Sequence, residues 1–244
     1  MKRNSILIGN NEVEFTVNRS KRRRRTVSLL VHPQQGLVVS APANTSMARI
    51  REIVEDKGGW IVKQMNALAE MEPLVDQRLF LTGEPFLVLG EIKYIKILED
   101  RVRKAFCREH GDNIEVLIPP GLDDETRTLR VRDALGAWYK DLAYEKVVER
   151  VDIYAPLLDL YPEEILIRSQ KTRWGSCSHK GVLRFNWRIV MAPLELLDYI
   201  VVHELCHLQV PNHSPEFWGL VGGIIPDYKE RRGRLKKEGL HYDF

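Results

Sequence analysis

Asp198-Tyr199-Ile200-Val201-Val202-His203-Glu204-Leu205-Cys206-His207-Leu208-Gln209-Val210-Pro211-Asn212-His213-Ser214-Pro215-Glu216-Phe217-Trp218 is the most informative stretch of this 244-residue chain. It contains His203-Glu204-Leu205-Cys206-His207, the H-E-x-x-H pattern. Residues four apart on a helix differ by about 40° in direction and roughly 6 Å in height. Two imidazoles so placed can reach one tetrahedral metal ion through nitrogen. Glu204 points about 100° away, which suits holding a water rather than binding the metal. Leu196, Ile200, His203 and His207 form one inward row, and Leu197, Val201, Leu205 and Leu208 widen it. Pro193 suits the first turn of such a helix, and Pro211 must lie at or just beyond its end.

A third ligand has to come from beyond that end. His213 follows His207 by six residues, and Val210-Pro211-Asn212 breaks the helix so that the chain can turn back. The spacing H-E-x-x-H-x-x-x-x-x-H is that of the metzincins, except that Val210 stands where they carry glycine. The turn is therefore expected to run through Pro211 and Asn212. Ser214-Pro215 reads as the N-cap and first position of a new helix. Glu216 is the competing third ligand.

Arg173-Trp174-Gly175-Ser176-Cys177-Ser178, Phe185-Asn186-Trp187, the H-E-x-x-H segment and Asn212 to Trp218 together resemble the YgjP-like metallopeptidase-domain family and, more distantly, SprT-like zinc proteases. Lys21 to Arg25 and Leu81 to Gly90 also fit that family, so the likeness covers nearly the whole chain. The resemblance implies a zincin-type fold, one zinc ion per chain on His203, His207 and His213, and Glu204 as general base. Imidazole also suits other divalent metals.

Composition sets the outer limits. A chain 44% hydrophobic and 29% charged is ordinary globular material, and no apolar run approaches the roughly 20 residues of a bilayer span. Ile6-Leu7-Ile8, after Lys2 and Arg3, is too short for the apolar region of a signal peptide. Three cysteines, Cys107, Cys177 and Cys206, are few and odd in number, which fits reduced thiols in a cytoplasm. Cys206 lies off the histidine row and is expected to pack. A net charge of +3 is too small to argue for nucleic acid by itself.

In chain order, Val13–Val17, Thr26–Val31 and Leu37–Ser40 read as strands, the last after a turn at Pro33 to Gly36. A helix from Thr45 or Ser46 to about Met71 is weakened at Gly58-Gly59. Phe86–Leu89, Ile92–Leu98 and Ile114–Ile118 read as strands, with His110 in a turn at the surface. Pro119-Pro120-Gly121 is the clearest break. A long helix then runs from Asp123 or Asp124 to near Leu158, burying Leu129, Leu135, Trp138, Leu142 and Val148. Ile165–Ile167, Thr172–Cys177 and Val182–Val190 supply strands beside the metal-binding helix, and Lys229–Lys237 a basic helix. The expected fold class is α+β: a zincin-like hydrolase region over 121–244, its active-site helix beside a small antiparallel sheet, preceded by a β-rich region with one helix over 1–120.

The chemistry these parts predict is metal-dependent hydrolysis of a peptide or protein, with nucleotide phosphoanhydride as the other substrate class. Arg173 either makes an ion pair or stacks on Trp174 or Trp187, or it binds a substrate carboxylate, phosphate or developing oxyanion. Trp174 and Ser176 are substrate-binding candidates beside it. Lys21-Arg22-Arg23-Arg24-Arg25 reads either as cations guarding a strand edge or as a phosphate-binding patch for nucleic acid. A zinc-stabilised nucleic-acid adaptor with weak or no catalysis is the non-enzymatic alternative, and Glu204 argues against it. If the basic run targets nucleic acid, neutralising it abolishes a salt-sensitive gel shift while turnover of a small substrate survives; loss of both together removes that division of labour.

Overall fold

The computed structural model describes residues 3–9, 11–21, 23–32, 36–69, 78–170, 172–239 and 241–244. Arg22 of the basic run, most of the expected turn at Pro33 to Gly36, and the expected helix end near Met71 lie outside them. The chain forms two compact units, Met1–Leu74 and Val75–Phe244.

In the first unit, β1 (Arg3–Ile8), β2 (Asn11–Ser20), β3 (Ser28–His32) and β4 (Gly36–Pro42) form a sheet in the order β1-β2-β4-β3. Alternation along β2 turns Val13 and Phe15 inward, where they meet Leu37, Val39 and Ala41 of β4. The β2–β4 pair is parallel, and the basic run lies in the connection from β2 to β3. β1 was not expected from the sequence: among its residues whose burial is described, only Ile6 is buried. The helix expected from Thr45 or Ser46 divides into α1 (Met47–Asp56), capped by the Ser46 side chain, and α2 (Gly58–Ala69). Gly58 is where α2 meets β1, since a Cβ there would lie 2.5 Å from the Ile8 side chain.

The second unit holds two further sheets. β5 (Pro85–Val88), β6 (Glu91–Glu99), β7 (Phe106–His110) and β8 (Asn113–Ile118) pair in the order β5-β6-β8-β7. β7 escaped the sequence reading because its residues are mostly exposed, and His110 ends this strand. Helix α3 (Asp124–Leu158) is capped by Asp123 and buries Val131, Leu135, Tyr139, Ala143, Val147, Val151 and Ala155, each four residues from the next. That i+4 ridge, with Ala134 buried beside it, leaves Leu129 43% exposed, against expectation. Ile114, Val116 and Ile118 of β8 share a core with this ridge, so the Pro119–Gly121 break, expected as a domain boundary, lies inside one unit.

β9 (Glu164–Arg168), β10 (Gly175–Cys177) and β11 (Val182–Asn186) make the third sheet, in the order β10-β11-β9. The β10–β11 pair is antiparallel as expected; β9 joins β11 in parallel. The expected strand to Val190 stops at Asn186, where a 3-10 segment, Trp187–Met191, begins. α4 (Leu194–Cys206), α5 (Pro215–Ile224) and α6 (Tyr228–Glu238) complete the chain. Arg150 of α3 and Asp198 of α4 form a largely buried ion pair at 2.5 Å.

The start of α4 is held from two sides. The β5–β6 turn has positive φ at Leu89 (50°) and Gly90 (86°), the signature of a two-residue hairpin loop. Their amides bond Val190 and Met191 carbonyls at 2.7 and 3.2 Å, and Gly90 abuts Pro193. A Cβ on Gly90 would lie 2.9 Å from the Pro193 Cα. Gly90→Ala is therefore expected to cost about 1–3 kcal/mol, read as a lowered midpoint in thermal or urea unfolding.

Candidate metal centre

α4 is buried over nearly all its length, and the histidines sit in its last turn. His207 stands at the C-cap with helical angles, φ −69° and ψ −15°. The Gln209 and Val210 amides close the turn on the Cys206 carbonyl at 3.2 and 3.0 Å. Val210 is buried, and its carbonyl accepts from His207 Nδ1 at 3.1 Å. That bond places the proton on Nδ1 and leaves Nε2 free to bind a metal. Val210 is not among the described non-glycine residues with positive φ, so this turn needs no glycine where the metzincin spacing has one.

The return to His213 is made by local capping. Asn212 Oδ1 accepts from the Ser214 amide at 3.1 Å, and Ser214 Oγ from the Phe217 amide at 3.4 Å, with Pro215 at the first helical position of α5. Phe217 is fully buried, its ring centroid 4.9, 4.4 and 4.9 Å from those of His203, His207 and His213. The ligand atoms of these histidines lie within 4.8 Å of one another, and His203 Nε2 is 3.1 Å from His213 Nε2. Two nitrogens each about 2.0–2.1 Å from one tetrahedral ion stand roughly 3.3 Å apart, so the donor set fits a metal. Glu216, the competing candidate, is exposed on the first turn of α5 and outside this cluster. Burial, then the neighbouring His207 and His213, hold His203 down to about 3, and burial lowers His213 too. His203 is therefore neutral at physiological pH, and His213 is biased the same way, toward the form that binds metal.

Glu204 is 4% exposed and meets β10 at Gly175. A Cβ on Gly175 would collide with Glu204 Oε1 and lie 2.7 Å from its Cγ. The segment before β10 is pinned by the pair Asn186-Trp187: Asn186 Nδ2 bonds the Gln170 carbonyl at 2.8 Å, and Trp187 Nε1 bonds Ser169 Oγ at 2.9 Å. Burial pushes the Glu204 carboxyl up to about 8, opposed by the charge of Arg173. A cation among the histidines would draw it back toward ionisation. Glu204 Oε2 is buried without a hydrogen-bond partner among the described residues, as expected of a group whose partner is a water or a substrate.

Arg173 is exposed, and the guanidinium over Trp187 is instead that of Arg188, at 4.4 Å. Trp174 packs edge-on against Tyr242 at 6.0 Å. Ser176 Oγ is 3.5 Å from Gln170 Nε2. Burial pushes the Cys206 thiol up to about 12, in keeping with a packing role. Phe217, Gly175 and Asn186 lie in the motifs that carry the resemblance, but the sequence assigned them no role. The available signals were a glycine between two larger residues and one short polar side chain in an apolar strand.

A family model described as YgjP-like, metallopeptidase domain, matches residues 25–238. Among solved structures, the crystal structure of the metallopeptidase zymogen of Pyrococcus abyssi abylysin is 26% identical and covers 36% of this chain and 90% of its own. Its TM-score of 0.35 defines no common fold. No curated protein matches. No helix among the described residues is long and apolar enough to cross a membrane.

Gly175→Ala is expected to drive the Glu204 carboxylate from its niche and lower stability by about 1–3 kcal/mol in denaturant melts. Gly219→Ala on α5, where a Cβ meets nothing within 4 Å, is expected to be neutral or stabilising by up to about 1 kcal/mol.

Proposed function

This chain belongs to the YgjP-like metallopeptidase-domain family, and on that footing we propose that it is a zinc-dependent peptidase with Glu204 as general base. The observation that carries the reading is three imidazoles converging beside a buried carboxylate that has a free oxygen. His203, His207 and His213 would hold the ion through ring nitrogens. Once bound, zinc supplies Lewis-acid polarisation of a carbonyl and lowers the pKa of a water.

The chain's own groups do the rest. Glu204 takes a proton from the attacking water and passes it to the leaving amine, and its confinement against Gly175 keeps it aimed. Arg173, whose charge already acts on Glu204, stabilises the oxyanion that develops on the scissile carbonyl. β10 is an edge strand beside α4, so an extended peptide can add to it as a further strand and lie across the histidines. This arrangement is zincin-like: an active-site helix beside the edge of a small sheet.

The test begins with metal content, by mass spectrometry, of the purified chain. Near-stoichiometric zinc is expected in the parent and a loss in His203→Ala and His213→Ala. Retention by His213→Ala would transfer the third ligand to Glu216. Glu204→Gln is expected to keep its metal and lose peptide turnover by roughly 10²–10⁴-fold. Undiminished turnover in that variant would overturn the general-base assignment.

A further inference from the structure

α6 carries three closely spaced arginines, and two of them are tied into the fold. Arg231 bonds Asp227 at 2.9 Å and the Glu195 carbonyl at 3.0 Å. Arg234 bonds Glu195 at 2.9 Å and Glu238 at 3.2 Å. Arg232 points about 100° away from Arg231 around the helix, is exposed, and has no ion pair among the described residues. Its guanidinium lies 5.0 Å from the Trp218 ring centroid.

Trp218 ties that cation to the metal centre. It stacks on His213 at 5.5 Å with 20° between the planes, and on Tyr228 at 5.1 Å with 11°. Lys229, three residues before Arg232, lies 5.9 Å from the Tyr228 ring centroid and extends the same positive strip. The stack of Trp218 on His213 puts this cation on the His213 side of the centre. An ion held by the three imidazoles would add further positive charge, with the carboxyl of Glu204 buried beside it. An incoming anion is favoured there by the local field.

We propose that Arg232, held against Trp218 beside His213, binds a carboxylate of the peptide substrate and so selects acidic peptides. The proposal rests on the peptidase reading above. A guanidinium packed against an indole keeps its N–H edge free, and that edge is a planar fork matching one carboxylate. No other part of the reading assigns a role to this residue, because Arg231 and Arg234 already account for the attachment of α6 to α4.

The test uses the full zinc-loaded chain and matched probe peptides. One pair carries an internal glutamate or glutamine, and the other a free or an amidated terminal carboxylate. Binding is measured by calorimetry on Glu204→Gln, which does not turn the peptide over, and kcat and KM on the parent. The acidic member of at least one pair is expected to bind about tenfold more tightly, a factor worth about 1.4 kcal/mol, with the preference appearing in KM. The responding pair shows whether the carboxylate is internal or terminal. Arg232→Gln is expected to remove most of the preference, losing several-fold more on the acidic peptide than on its neutral partner, and Arg232→Lys to restore part of it. Equal losses on both peptides, or no preference in the parent, would overturn the proposal. So would a nucleoside triphosphate that binds ahead of every peptide through Arg232, since the anion would then be phosphate. If no peptide is cleaved while the calorimetric preference still depends on Arg232, the peptidase reading falls and the carboxylate site stands.

Discussion

One α-helix can bring two imidazoles to a point but not three. A side chain six residues further on would face the opposite side. The centre therefore depends on ending α4 at His207 and returning the chain within a few residues. His207 both terminates the helix and bonds the Val210 carbonyl, so the ring that would hold the ion also holds the turn. Asn212 and Ser214 then start α5, which places Phe217 among all three rings. Phe217 is the packing partner that makes these imidazoles converge, and it works through shape, since it offers no polar atom.

The second constraint is the approach of a sheet edge to the same helix. Glu204 can lie against β10 because position 175 has no side chain. Asn186 and Trp187 hold the segment leading into β10 by bonding its backbone and Ser169, so the spacing is set from within the third sheet. The start of α4 is fixed independently, by the β5–β6 hairpin closing on Pro193. Gly90 and Pro193, 103 positions apart in sequence, thereby share one small frame, and that sharing is why β5 to β8 and α4 occupy a single unit.

The centre combines two half-buried imidazoles, His203 and His207, and an exposed one, His213, with the buried carboxyl of Glu204 and two exposed arginines. Burial strips the charge from His203 and from Glu204 alike, and a cation would reverse the effect on Glu204 while using the lone pairs of the histidines. The charge of Arg173 acts on Glu204, and Arg232 stands against Trp218 beside His213; the proposed function and the proposed carboxylate site give these two arginines separate tasks.

The H-E-x-x-H pattern was legible in the sequence because its logic is local. The spacing of His203 and His207, the caps at Ser46, Asp123 and Ser214, and the strands β2, β5, β6 and β8 follow from helix and strand periods acting over a few residues. Strands β1 and β7 were not legible, because the apolar residues of β1, Ile6-Leu7-Ile8, form an unbroken run instead of alternating with polar ones, and the residues of β7 are mostly exposed. The boundary expected at Pro119 to Gly121 misread a turn as a division, since a break in local pattern says nothing about which side chains share a core. By itself, then, the sequence determined the candidate ligand types, their order and the elements that carry them. Tertiary structure decided that Gly175 makes room for Glu204, that Phe217 packs against all three histidines, and that Arg232 rather than Arg231 or Arg234 is left without a carboxylate among the described residues. Those outcomes depend on contacts between segments far apart in the chain, which no local period encodes.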